Sequence, residues 1–196
     1  SFKGTGYSTQ NMLNEYLHIY ARRGNVLKML DLMEAGASIN AFDSDGNSVL
    51  FNLLNFCIED KFSNFGKYIN IIDYLVEESS NINTSNNQGD TLLTLLCKNY
   101  DQENHIPYKV LIEYLAKKSS NINKANNDGN TPLILLCQKF NPDSFTQLLK
   151  HKTLIEVLIQ NGANINKADK NKNTPLNLVC KNFNPEKFSE YKSLVE

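Results

Sequence analysis

The sequence predicts an all-α chain, an α-solenoid of short helix pairs joined by hairpin-like loops. Three observations predict it. A three-residue phrase recurs as Ser38-Ile39-Asn40, Asn81-Ile82-Asn83, Asn121-Ile122-Asn123 and Asn164-Ile165-Asn166, with its isoleucines 43, 40 and 43 residues apart. Seven residues after each isoleucine stands a turn position, occupied by Gly46, Gly89, Gly129 and Lys172. Two residues further on come Ser48-Val49-Leu50, Thr91-Leu92-Leu93, Thr131-Pro132-Leu133 and Thr174-Pro175-Leu176. A fixed period of this length marks a repeat architecture, in which each unit buries its apolar face only by stacking on its neighbours.

The units run over about 10–40, 41–83, 84–123, 124–166 and 167–196, the last incomplete, and read together as one domain, 1–196. Each unit opens on turn chemistry. Asp43-Ser44-Asp45-Gly46 and Asn126-Asn127-Asp128-Gly129 place glycine where the tip needs positive φ. Thr131 then stands at a helix N-cap, with Pro132 at the first helical position, where a missing N–H is harmless. A short apolar helix follows over Leu133–Cys137, and a second over Leu154–Gln160 stops at Asn161-Gly162. Neither helix is long enough to stand alone.

These residues resemble the ankyrin repeat, whose pattern is an Asp-x-x-Gly-x-Thr-Pro-Leu-His opening, paired helices and a Leu-Leu-x-x-Gly-Ala close. Asp43/Gly46, Thr131-Pro132-Leu133, Thr174-Pro175-Leu176 and Gly162-Ala163 carry the likeness. The first unit keeps Leu17-His18, Ala21-Arg22-Arg23-Gly24-Asn25 and Glu34-Ala35-Gly36-Ala37. The usual ankyrin period is about 33 residues, so units two to four carry an extra 7 or 10 residues between their helices. Tyr191 to Glu196 aligns with Tyr108 to Glu113, which gives the fifth unit an insertion as well and places the end of the sequence inside a helix without a closing cap. Two insertions share a phrase, Lys139-Phe140-Asn141-Pro142-Asp143-Ser144-Phe145 and Asn182-Phe183-Asn184-Pro185-Glu186-Lys187-Phe188. Aromatic residues concentrate here. They suit either a second apolar seam at the far end of longer helices or an exposed ridge that grips a partner, and the exposure of Phe145 and Phe188 separates the two.

A net charge of -1 argues against general binding to nucleic acid or to a membrane surface. No run is long enough for a transmembrane helix, and Ser1 to Gln10 is polar with no signal-peptide core. Cys97, Cys137 and Cys180 hold one place in successive units. Helices stacked about 8–10 Å apart are too distant for disulfides, so these thiols read as small buried core residues in a reducing, intracellular compartment. His18 matches the structural histidine of the family, and His105 and His151 read as surface residues. The sequence offers no catalytic constellation, no metal-ligand spacing and no cofactor motif, and an enzyme is not expected. The resemblance also raises β-hydroxylation at the recurrent Asn40, Asn83, Asn123 and Asn166, against a simpler role in satisfying turn backbone.

The resemblance implies recognition of another protein by a monomer, through the hairpin tips and the concave face of the first helices. The matching tip positions are Ser44, Asp45 and Asn47; Asn87, Gln88 and Asp90; Asn127, Asp128 and Asn130; and Lys170, Asn171, Lys172 and Asn173. Phe51, Thr94, Ile134 and Asn177 would line the floor. Asp43 and Asp45 make the first tip acidic, whereas Lys167, Lys170 and Lys172 outweigh Asp169 in the last, so a partner of opposite polarity is expected. The Asn-, Ile- and Lys-rich composition is similar to that of proteins from AT-rich intracellular microbes, which points to an effector working in host cytoplasm. The competing expectation is a spacer or scaffold that positions a further C-terminal domain.

Overall fold

In the computed structural model, residues 8–79 and 82–188 are described. They are helical throughout, with α1 at Thr9–Ala21, α2 at Val26–Glu34, α3 at Val49–Glu59, α4 at Phe65–Glu78, α5 at Leu92–Lys98, α6 at His105–Lys118, α7 at Pro132–Gln138, α8 at Phe145–Gln160 and α9 at Pro175–Asn182. Single turns of 3-10 helix lie at Gln102–Asn104 and Pro185–Phe188. Contacts divide the chain into two compact units, Ser1–Asn87 and Gln88–Glu196.

In the first unit α1 packs on α2 and α3, and α3 on α4. Its core is Leu17, Ala21, Met29, Val49, Leu53, Leu54, Ile72 and Leu75, all essentially inaccessible to solvent. In the second unit α5 packs on α6 and α7, α7 on α8 and α9, and α6 on α8, around Leu96, Leu111, Ile112, Leu133, Ile134 and Leu154.

Local chemistry sets the helix ends. Ser48, Thr91, Thr131 and Thr174 take extended backbone and accept a hydrogen bond from the N–H three residues on, with Pro132 and Pro175 just inside the helix as expected. Helix α8 closes in a Schellman motif, in which Ala163 N–H reaches the Leu158 carbonyl (2.9 Å) and Gly162 N–H reaches that of Ile159 (3.0 Å), with Gly162 at φ 95°. α3 uses the same closure with a lysine: Lys61 sits at φ 51° while Phe62 N–H reaches the Cys57 carbonyl (2.8 Å). The buried Phe62 ring holds this costly turn in place.

The extra residues lengthen the second helix of each enlarged pair. α2 has 9 residues, whereas α4, α6 and α8 have 14, 14 and 16. Helix α8 therefore begins at Phe145, nine residues before the expected Leu154, capped by the Ser144 hydroxyl on Gln147 N–H (3.2 Å). The aromatic residues divide between the two expected roles. Phe62, Tyr68, Tyr100, Tyr108 and Phe140 are buried, while Phe145 is 49% exposed and Phe183 39% exposed. The Phe188 side chain and residues 191–196 lie outside the described part. His105 and His151 are buried rather than at the surface. Burial raises the thiols of Cys57 and Cys137 to about 12 and pushes Cys97 up as well. Cys180 is exposed, contrary to the core expectation: α7 and α9 cover its counterparts on α5 and α7, and among the described residues no α-helix follows α9.

Candidate functional site

The hairpin between α2 and α3 closes round Asp43. Its carboxylate accepts the backbone N–H groups of Asp45 (3.0 Å) and Asn47 (2.8 Å), and Asn52 Nδ2 (2.8 Å), and pairs with Arg22 at 2.7 Å. Burial alone would raise the Asp43 carboxyl, but hydrogen bonds from Asn52, Arg22 and Asn47 outweigh it and hold the group at about 2. Asn52 is buried on α3, and its amide also meets His18 Nδ1 at 2.9 Å. An amide nitrogen only donates, so Nδ1 is the acceptor in a neutral ring. Burial lowers His18 below its ordinary 6.5, against the pull of Asp43.

The other tips use the same device. Asn126 Oδ1 accepts from Asp128 and Asn130 N–H (3.1 Å each), and Asp169 from Asn171 and Asn173 N–H (2.8 Å each). Within a unit each tip also braces the next. Asn87 N–H donates to the Asp45 carbonyl and Asn127 N–H to that of Gln88, both at 2.9 Å. A Cβ on Gly46 would stand 2.7 Å from Asn87 Oδ1, so glycine is required there by contact as well as by its φ of 74°.

Of the residues expected at the surface, Ser44, Asp45, Asn87, Gln88, Asn127, Asp128, Lys170, Asn171 and Lys172 are exposed. Asn47, Asp90, Asn130 and Asn173 share the place just before the N-cap, and their side chains serve the hairpins. Asn47 joins Asp43 to Asn86, Asn130 accepts from Gln138, and Asn173 donates to Asp169. Asp90 departs furthest from expectation. It is buried, with Asn126 Nδ2 at 3.0 Å and Lys98 at 3.4 Å. Phe51, Thr94 and Ile134 are core, and only Asn177 of the expected floor is exposed. Thr94 is occupied closing a capping box with Thr91. Lys167 and Lys170 donate to the Asn123 and Asn127 carbonyls, which holds both cationic side chains against the preceding tip of their own unit. Asn123 brackets the following repeat, donating to the Gly162 carbonyl (2.9 Å) and accepting from Asn164 N–H (2.7 Å), the turn-satisfying role.

The first unit also holds an open pocket of about 400 Å³ beside this hairpin, lined in part by Asn11, Glu15, Ile19, Arg22, Phe42 and Ser44. Phe42 is 49% exposed, and Glu15 is exposed with no hydrogen-bond or ion-pair partner among the described residues. Phe42 was legible but overlooked: the same place in the next three units holds Ser85, Ala125 and Ala168, so one large apolar residue stands where the others are small. The family model for ankyrin repeats (3 copies) matches residues 54–166. This chain belongs to the ankyrin-repeat family. Comparison with the curated proteins gives no match.

Ankyrin repeats are generic protein–protein interaction modules, typically without catalytic activity. Here the tips that open at Asp43, Asn126 and Asp169 are tied by an Asx carbonyl or carboxylate to their own backbone, while their outermost side chains stay in water. No group of three His, Cys, Asp or Glu among the described residues is placed to hold a metal ion, and no described helix is long and apolar enough to cross a membrane.

Proposed function

We propose that this ankyrin chain is a non-catalytic monomer that binds a protein partner through its exposed tips and the pocket beside the first hairpin. The observation that supports it is Phe42. A half-exposed ring stands at the mouth of a polar pocket, on a hairpin that the Asp43 network makes rigid. Such an anchor on a preorganised frame is what protein recognition uses, because little entropy is lost on docking. The contact residues are Ser44 and Asp45 in the first unit, with Asn87, Gln88, Asn127, Asp128, Lys170, Asn171 and Lys172 at later tips. Asn47, Asp90, Asn130 and Asn173 support them.

The test uses this chain as bait with quantitative capture. Phe42→Ala and Ser44→Arg should each lose the partner while leaving the melting temperature unchanged. A spacer for another domain retains no specific partner and loses none on substitution. The effector reading rests on composition and makes the captured protein a host protein.

A further inference from the structure

The outer helices of the first unit leave a second surface that the tips do not use. Between α2 and α4 runs a groove of about 730 Å³ lined by the apolar Val26, Leu30, Met33, Ile71 and Tyr74 and by the polar Glu34, Lys67 and Asn70. The lining residues recur at helical spacing on both walls, 26, 30 and 33 on one and 67, 71 and 74 on the other. Leu30 is 45% exposed and Tyr74 47%, and Leu27 at the rim is 74% exposed.

Repeat register shows that Leu30 in this face is particular to α2. Leu32, Leu75, Leu115 and Leu158 hold one place in successive second helices, and two residues earlier stand Leu30, Asp73, Glu113 and Glu156. Three repeats thus put a carboxylate where the first puts leucine. A solvated helix face has no use for that leucine unless something covers it. The charges set a direction. α2 and α4 hold equivalent places and run the same way, so Lys67 in the first turn of α4 and Glu34 in the last turn of α2 mark opposite ends of the groove.

We propose that this groove docks an amphipathic helix of a partner protein, its apolar stripe on Leu30, Met33, Ile71 and Tyr74, an acidic residue at Lys67 and a basic residue at Glu34. A third helix laid against two parallel ones seats its ridge in their groove, and the spacing of the walls matches anchors at i, i+4 and i+7.

The probe is a fluorescent helical peptide with a leucine stripe, glutamate at one end and lysine at the other, titrated into the full chain. Leu30→Glu should weaken binding by about tenfold or more without shifting the melting temperature, because Asp73, Glu113 and Glu156 fill the same place. Glu34→Lys should weaken it less, and a peptide with glutamate in place of its lysine should recover the loss. Phe42→Ala should change nothing, which separates this surface from the concave pocket. Binding that ignores Leu30→Glu overturns the proposal. So does a dimer that Leu30→Glu dissolves, which makes the occupant a second copy, or binding that appears only when residues 1–7 are removed.

Discussion

The first unit and the second bury histidine in opposite ways. In the first, His18 lies in a polar chain that passes through Asn52 to Asp43 and Arg22 and ends at the hairpin between α2 and α3. In the second, His105 and His151 lie among aromatic rings at the lengthened end of α6 and α8. Tyr100 stands edge-on to His151 at 4.8 Å and to Tyr108 at 5.5 Å, and its hydroxyl shares a hydrogen bond with His105 Nδ1 at 3.0 Å. Phe140 meets His151 at 5.6 Å. One histidine orders a surface loop, and the other two fill a core that ankyrin units of ordinary length do not have. The difference teaches that the added residues build a buried aromatic cluster of their own, while the polar network of the first unit orders its hairpin.

The sharpest way to break this contrast is to remove a ring. Tyr108 is 2% exposed and its hydroxyl donates to the Asn99 carbonyl, so Tyr108→Ala should cost about 3–5 kcal/mol in chemical denaturation. Tyr108→Phe, which keeps the ring, should cost about 1 kcal/mol. Asn52→Ala should cost about 1–3 kcal/mol by leaving Asp43 and His18 without a buried donor. Unlike the tyrosine change, it should also speed amide exchange in the 43–48 hairpin. Equal exchange in the two variants would erase the distinction drawn between the two regions.

Acid should separate the regions further. Burial, then Lys150, Lys109 and His151, lower His105, with Glu113 opposing; burial likewise lowers His151, against the carbonyls of Gln147 and Lys139. A histidine lowered on folding contributes its full stability above its ordinary 6.5 and loses it as pH falls below that value, because the unfolded chain takes the proton first. His105→Gln with His151→Gln should therefore reduce the loss of stability just below pH 6.5, leaving the part that the lowered His18 contributes. Asp43 works lower down: its contribution is complete above 3.8 and is lost as pH falls through about 2. Asp43→Asn should lower stability at all pH above 3.8 and shrink the acid limb, leaving the part that the lowered Asp169 contributes. The smallest effect is expected at the last tip. Lys172 takes φ 64° where its counterparts are glycine, so Lys172→Gly should stabilise the second unit by about 1 kcal/mol, read as a higher denaturation midpoint.

The helix starts were legible because Thr-Pro and Ser or Thr at a fixed offset from the turn report cap chemistry, which is local. The start of α8 was not. Phe145 to Thr153 mixes lysine, glutamine and histidine with its apolar residues, and the face it buries is defined by Tyr100 and Phe140 on other elements. His151 reads as a surface residue for the same reason, since Tyr100 of the preceding repeat covers it, whereas His105 is held by Tyr100 within its own repeat. The tips were legible as loops, but not the inward turn of Asp90, which depends on Asn126 one repeat later. Leu30 and Phe42 were visible in register, as single departures from what the other units carry.

The most direct test of the account is site-specific photocrosslinking from the hairpin. A photoreactive side chain placed at position 42 or 87, both exposed in the first unit, compared with one at the exposed position 156 of α8, is presented to a lysate and the adducts are identified. One shared protein adduct is expected from positions 42 and 87 and none of it from 156. The same adduct from all three positions, or none from position 42, would contradict that expectation.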